Sequence, residues 1–244
     1  VNYDEDGEMT ALGHFMGRKR IFRTSGDLRE HPRYSIQEAS EYIHIPASTL
    51  KAWIRGQDYI DHKTGKRKTF EPVIEAADPQ NKLLSFYNLA EAHLLRATIE
   101  RGVPLKNLRK AVEYIRQHVA GKHPLLRRDF STYGDKVFLT ELGDTLNITN
   151  PQGNLFMAGI FRQYLKRLEW DEKDLLPILL YPMGTTRLVI NPLISSGKPV
   201  IKGTGVMVSI LRDRAKTESI PDLASDYDME PFEIEEAIKE YAAA

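Results

Sequence analysis

The 244-residue chain contains no cysteine. Disulfides and thiolate metal sites are thereby excluded, and a reducing compartment, the cytoplasm, is the simplest setting for it. Long apolar runs are missing as well. "DLLPILLYPM" is among the longest and falls well short of the roughly 18 residues that a membrane span needs. No charged segment followed by an apolar one opens the chain, so neither secretion nor insertion is expected.

Signatures of catalysis are equally scarce. The seven histidines form no H-E-x-x-H pair or other ligand set, and there is no G-x-S-x-G elbow. A phosphate-binding loop needs G-x-x-x-x-G-K-[ST], whereas "GKPVIKGTGV" (residues 197–206) runs Lys202-Gly203-Thr204. A dinucleotide fingerprint would need glycine where Val208 stands, in a βαβ unit that the flanks do not provide. Gly197, Gly203 and Gly205 are therefore expected to supply positive-φ turns in a hairpin, with Lys198 and Lys202 exposed. Adjacent carboxylates such as Glu235 and Glu236 read as solvated charge. The expectation is a protein without catalytic residues, metal or cofactor, and not an enzyme.

What the chain has is charge, unevenly placed. The net charge is zero, yet residues 33–128 hold 17 Lys/Arg against 10 Asp/Glu, and residues 207–244 hold 4 against 10. A basic front and an acidic rear suggest two surfaces with different partners.

The first 32 residues, with Arg18, Lys19, Arg20 and Arg23 and no sustained periodicity, read as an N-terminal arm. Order is expected from "YSIQEASEYIHIPASTLKAWIRG". Ser35 followed by Glu38 is a capping-box pattern, opening a helix with Ile36, Ala39, Tyr42 and Ile43 on one stripe. Pro46 forces a turn and starts a second helix, in which Leu50, Trp53 and Ile54 face the first while Ser48, Thr49, Lys51 and Arg55 project outward. Two short helices at a tight turn, the second polar at its start and basic outside, make a helix-turn-helix, with Trp53 in the core. "QDYIDHKTGKRKTFEPVI" then reads as a hairpin with Gly65 in its turn and Lys63, Lys66, Arg67 and Lys68 at its tip. Behind a helix-turn-helix this is a wing, placed for phosphate contact.

Next, "NLAEAHLLRATIERGVPLKNLRKAVEYIRQHV" predicts a helical hairpin, capped by Asn88 with Glu91, broken at Gly102 and restarted at Pro104. Its exposed side is expected to carry Arg96, Arg101, Lys106, Arg109, Lys110 and Arg116, extending the basic surface. From Tyr133 the pattern turns partly β. "DKVFLTELGDTLNIT" predicts two strands, "GNLFMAGIFRQYLKRLEW" a helix whose apolar face includes Leu155, Tyr164, Leu165 and Leu168, and "ILLYPM" and "RLVIN" two short strands. This small α+β segment is a candidate for dimerisation. "MVSILRDRAKTE", "IPDLASDY" and "EPFEIEEAIKEYAAA" predict three helices, with Pro221 and Pro231 at helix starts. Their interior is expected to hold Ile210, Leu211, Leu223, Ala224, Phe232, Ile234, Ala237 and Ile238. The fold class is thus mainly α with minor α+β. Its parts are an arm (1–32), a winged helix-turn-helix (33–130), a connecting α+β segment (131–186), and a hairpin leading into a three-helix bundle (187–244).

Those residues carry a resemblance. "YSIQEASEYIHIPASTLKAWIRG" with "LLSFYNLAEAHLLRATIERGVPLKNLRKAVEYI" resembles the winged helix-turn-helix of the MerR superfamily, and more closely the DNA-binding half of long VapB-type antitoxins. "INPLISSGKPVIKGTGVMVSILRDRAKTESIPDLASDYDMEPFEIEEAIKEY" resembles the small antitoxin module whose signature runs P-x-x-x-x-G-K-P-x-I-x-G-T-R, here Pro192, Gly197-Lys198-Pro199, Ile201 and Gly203-Thr204. Gly205 stands in the place of the final arginine, so no contact made by that arginine transfers.

The resemblance implies a type II antitoxin. Its C-terminal module would mask a PIN-like ribonuclease toxin through Lys198, Lys202, Arg212 and Arg214, or through Glu233, Glu236 and Glu240. Basic side chains would pair with metal-holding carboxylates of the toxin, and acidic ones with basic RNA-binding residues around its entrance. Its N-terminal part would bind operator DNA in the operon's own promoter as a homodimer and repress it, through Ser48, Thr49, Lys51, Arg55, Lys63, Lys66, Arg67 and Lys68. The alternative is a stand-alone MerR-like regulator whose C-terminal bundle binds a ligand or another protein.

Overall fold

A computed structural model describes residues 26–60, 64–100, 102–118, 121–126, 162–182 and 185–242. The first helix, α1 (Ile36–Ile43), begins where the sequence places it. Ser35 accepts from the Glu38 amide, and Glu38 accepts from the Ser35 amide in return. Its apolar stripe of Ile36, Ala39, Tyr42 and Ile43 is buried. His44 ends the helix in the left-handed region at φ 53°, the Ser40 hydroxyl donates to the Ile45 carbonyl at 2.6 Å, and Pro46 sets the entry to α2 (Ala47–Trp53). Leu50 and Trp53 lie inward, and Trp53 is a core residue at 3% exposure. Strands β1 (Gln57–Ile60) and β2 (Arg67–Phe70) pair antiparallel, with Gly65 in the turn at φ +65°.

The helical hairpin follows as α3 (Phe86–Ile99) and α4 (Leu105–His118). Its cap differs from the expected one. Ser85 is the N-cap of α3, its side chain accepting from the Asn88 amide while Asn88 accepts from the Ser85 amide. Asn88 sits three residues inside, where its amide group also donates to the Glu75 carbonyl at 2.8 Å and accepts from the Ala77 amide at 2.9 Å. Those two bonds tie the chain after the β-hairpin to α3. A buried asparagine with this many partners repays its own desolvation. Helix α3 is buried on all sides, from Phe86 to Thr98, and forms the axis of the larger apolar cluster.

Residues 162–165 are helical, but the chain turns to strand before the expected helix would end. Leu168 lies in β3 (Leu168–Trp170), antiparallel to β4 (Pro177–Leu180). The two strands expected in 135–149, most of the helix expected after them, and the basic cluster at 18–23 lie outside the described residues. A bridge between Leu180 and Ile190 carries the chain from β4 into β5 (Leu188–Val189), which pairs with β6 (Val200–Ile201). Helices α5 (Val208–Arg214), α6 (Ile220–Tyr227) and α7 (Pro231–Ala242) complete the chain. Their core holds Leu188, Ile201, Val208, Leu211, Leu223, Ala224, Ile234 and Ala237. Ile210 and Phe232, expected inside, are 39% and 60% exposed. Helical spacing alone places residues on a face, and the bundle is too thin to cover both flanks of that face. The architecture is mainly α with small antiparallel strand pairs and an N-terminal helix-turn-helix.

The two apolar clusters are joined by specific contacts. Tyr241 packs against both. The Arg33 guanidinium donates to the Pro192 carbonyl at 2.8 Å, and the buried Tyr34 hydroxyl donates to the Gly197 carbonyl at 2.9 Å. Gly197, Gly203 and Gly205 all have positive φ, at 76°, 84° and 73°. Only Gly197 is pressed against another part of the molecule: a Cβ there would overlap the Tyr34 hydroxyl and lie 3.2 Å from Cζ of its ring. The glycine-rich stretch is thus a hairpin and also a seam.

Candidate nucleic-acid interface

Helix α2 presents its outer face without obstruction. Ser48, Lys51 and Arg55 are exposed and Thr49 is half-buried, on the side opposite Leu50 and Trp53. Beside them the β-hairpin stands up from Gly56. Together α2, the hairpin and the start of α4 enclose an open cleft of about 720 Å³, lined by Ser48, Lys51, Arg55, Asp58, Thr69 and Arg109 among others. On the hairpin Lys66 and Arg67 are exposed. Lys63 and the side chain of Lys68 lie outside what the structure describes.

The basic surface was expected to run on along α3 and α4, and here the structure corrects the sequence. Three of those arginines turn inward and bind carbonyl oxygens of the helix-turn-helix. Arg96 donates to Ile43 O at 2.8 Å, at the C-terminal end of α1. Arg109 is only 7% exposed and donates to Arg55 O at 3.0 Å and Ala52 O at 3.3 Å, at the end of α2. Arg116 donates to Pro72 O at 2.8 Å and Val73 O at 2.9 Å, just past the hairpin. Helix ends expose carbonyls with no intrahelical partner, and a guanidinium there meets both the unpaired acceptors and the negative end of the helix dipole. Arg96 thus ties α1 to α3, while Arg109 and Arg116 tie the end of α2 and the chain after the hairpin to α4. Lys106 and Lys110 remain exposed.

Sequence reasoning also passed over Asp58 and Thr69, which stand opposite each other on β1 and β2. Thr69 Oγ1 donates to Asp58 Oδ1 at 2.6 Å and Arg67 Nη2 donates to Asp58 Oδ2 at 2.5 Å. Thr69 first and Arg67 second hold the Asp58 carboxyl below its ordinary range, so it stays ionised at neutral pH. The only signal in the sequence was an acid in β1 within a basic hairpin.

Of the C-terminal candidates, Lys198 and Lys202 are exposed, Lys202 with its ammonium 4.9 Å from the Tyr181 ring centre. Arg212 is exposed and lies over Tyr241. Arg214 is engaged within the bundle by Glu218 and Asp226, each at 2.5 Å. Glu233 is exposed, Glu236 is half-buried with Lys239 at 3.3 Å, and Glu240 is taken up by Thr185 and by Arg187 at 3.3 Å. Among the described residues there is no cluster of three or more His, Cys, Asp or Glu able to hold a metal, and no helix long and apolar enough to cross a membrane.

The N-terminal unit folds as a helix-turn-helix, and residues 32–112 match the family described as "Putative DNA-binding HTH domain". Residues 188–242 match the family described as "Protein of unknown function (DUF433)". Over 228 residues the chain is 26% identical to "Putative antitoxin VapB45" of Mycobacterium tuberculosis, covering 87% of this chain and 95% of that protein. It is 25% identical over 221 residues to "Uncharacterized protein Rv2308" of the same organism, covering 84% and 88%. The crystal structure of Rv2018 from Mycobacterium tuberculosis has the same fold, with a TM-score of 0.65 at 23% identity, over 85% of this chain and 98% of that one.

Proposed function

We propose that this chain is the antitoxin of a type II toxin–antitoxin pair. In this reading the C-terminal module neutralises a PIN-like ribonuclease, and the helix-turn-helix, of MerR-like type, binds and represses the operon's own promoter as a homodimer. The observation that carries it is the near full-length alignment with a relative named as an antitoxin, which spans both the helix-turn-helix and the C-terminal module. The local chemistry agrees with this division. Lys51, Arg55, Lys66 and Arg67 offer cations to DNA on one side. On the other, the bundle is acidic and leaves Phe232 and Ile210 uncovered, which suits a partner whose rim is basic.

Of the residues expected to meet the toxin, the reading now favours Lys198 and Glu233, both exposed, over Arg214 and Glu240, which hold the bundle together. The test is co-expression with a PIN-like protein encoded beside it. Co-purification and relief of growth arrest are expected, together with binding of the full chain to the upstream promoter. A chain that neither forms a complex nor relieves toxicity, while still binding DNA, would be a stand-alone regulator.

A further inference from the structure

Most of the DNA-facing cleft is what phosphate binding requires, except for one group. Asp58, paired with Thr69 across the hairpin, places an ionised carboxylate in the cleft that Lys51 and Arg55 also line. Near the phosphate backbone a carboxylate is repelled, so it weakens sequence-independent binding. In the major groove it has one good kind of partner, an exocyclic amino group, and cytosine N4 is the one that carboxylates accept from. Its orientation is set in advance. Each oxygen already takes one hydrogen bond, Oδ1 from Thr69 and Oδ2 from Arg67, and each retains a second acceptor position. The guanine of the same base pair presents O6 and N7, two acceptors that suit a guanidinium. Arg55, which lines the same cleft, carries one.

We propose that Asp58 is a base-reading residue, accepting a hydrogen bond from cytosine N4 of a G·C pair whose guanine edge faces Arg55. This rests on the DNA-binding reading of the helix-turn-helix. Thr69 and Arg67 act as positioning residues that hold the carboxylate in place, and Arg67 does so through Nη2, leaving the rest of its guanidinium for phosphate.

The full chain would be taken through repeated selection from a random-sequence DNA duplex library, alongside Asp58→Asn, Asp58→Ala and Arg67→Ala. Wild type is expected to enrich a motif with an invariant G·C pair. In Asp58→Ala the preference at that one position falls about tenfold while the other positions persist, and binding to unselected duplex becomes tighter. In Arg67→Ala the preference survives in weakened form, because the carboxylate is still present. An unchanged motif in both Asp58 variants overturns the proposal, as does uniform weakening at every position, which would mark Asp58 as part of the hairpin's architecture only. Failure of the wild type to enrich any motif would instead remove the DNA-binding reading, and this proposal with it. Thermal unfolding of each variant establishes that the hairpin is intact.

Discussion

The Tyr34 hydroxyl donates a hydrogen bond to the carbonyl of Gly197, 163 residues later in the chain. Tyr34 precedes Ser35, the N-cap of α1, and is 2% exposed; Gly197 ends a 3-10 turn in the connection between β5 and β6. The contact allows no side chain at 197, since a Cβ would overlap the phenol oxygen and φ there is +76°. Gly197→Ala is expected to cost about 2–4 kcal/mol, from overpacking and from left-handed backbone together. Tyr34→Phe removes the overlapping atom, so the cost of Gly197→Ala should shrink in that background. Urea unfolding of the four proteins measures this; equal costs in the two backgrounds would show that the seam is not where the strain lies.

Arg109 supports the candidate interface from behind. Its guanidinium binds carbonyls at and just past the end of α2, and truncation to alanine leaves Ala52 O and Arg55 O without it, costing about 2–3 kcal/mol. DNA affinity should fall as α2 loosens, yet the dependence of affinity on salt should keep its slope, because no phosphate contact is lost. Lys66→Ala and Arg67→Ala are the contrast, each expected to lower that slope by about 1 with little change in stability. A reduced slope for Arg109→Ala would place its charge on the DNA.

The difference between these arginines explains what the sequence could and could not convey. The two helices of the helix-turn-helix, the β-hairpin and the three C-terminal helices were all legible, because each is set by local caps, turns and periodicity. So was the outward face of Ser48, Lys51 and Arg55, since Leu50 and Trp53 fix it by subtraction. The direction of Arg96, Arg109 and Arg116 was not. An arginine stem spans several ångströms, and whether its head meets solvent or a carbonyl depends on how α3 and α4 dock, a matter of tertiary contact. The roles of Gly197 and Asp58 were hidden for the same reason. One depends on a tyrosine far away in sequence, the other on the register of two strands.

Lys51→Ala and Thr49→Ala are expected to weaken DNA binding while leaving capture of a protein partner intact, because both residues lie on α2 and away from the bundle. Fluorescence anisotropy on promoter DNA, with a parallel pull-down of the co-expressed partner, separates the two activities. Equal loss of both would contradict the division of labour between the chain's ends.

His93 links stability to pH. It is fully buried, with Nε2 3.3 Å from the Tyr164 carbonyl. Burial lowers its pKa to about 3, the Tyr164 carbonyl opposes this, and Arg96 and Arg167 add to the lowering. The unfolded chain therefore binds a proton that the folded chain refuses at every pH between about 6.5 and about 3. Stability from this group is complete above the unfolded value and falls by up to about 1.4 kcal/mol per unit as pH drops below it. His44, lowered by burial and by Arg96, acts in the same sense. Urea midpoints at pH 7.5, 6 and 5 should decline, and His93→Gln should flatten the decline while lowering stability at pH 7.5. A His93→Gln profile parallel to wild type would remove His93 as the source.

Two glutamates on α7 should part company. Glu240 accepts from the Thr185 hydroxyl and from Arg187, whose guanidinium also lies 5.2 Å from the centre of the Phe232 ring. Glu240→Ala breaks that set and leaves a half-buried arginine without its carboxylate, so it is expected to cost about 1–2 kcal/mol. Any loss of partner capture should then track the loss of fold. Glu233 is exposed, and Glu233→Ala should change stability by less than about 0.5 kcal/mol. A weakened pull-down by Glu233→Ala at unchanged melting temperature would assign that flank of α7 to the partner. A pull-down left intact by Glu233→Ala would move the search to Lys198 and the hairpin.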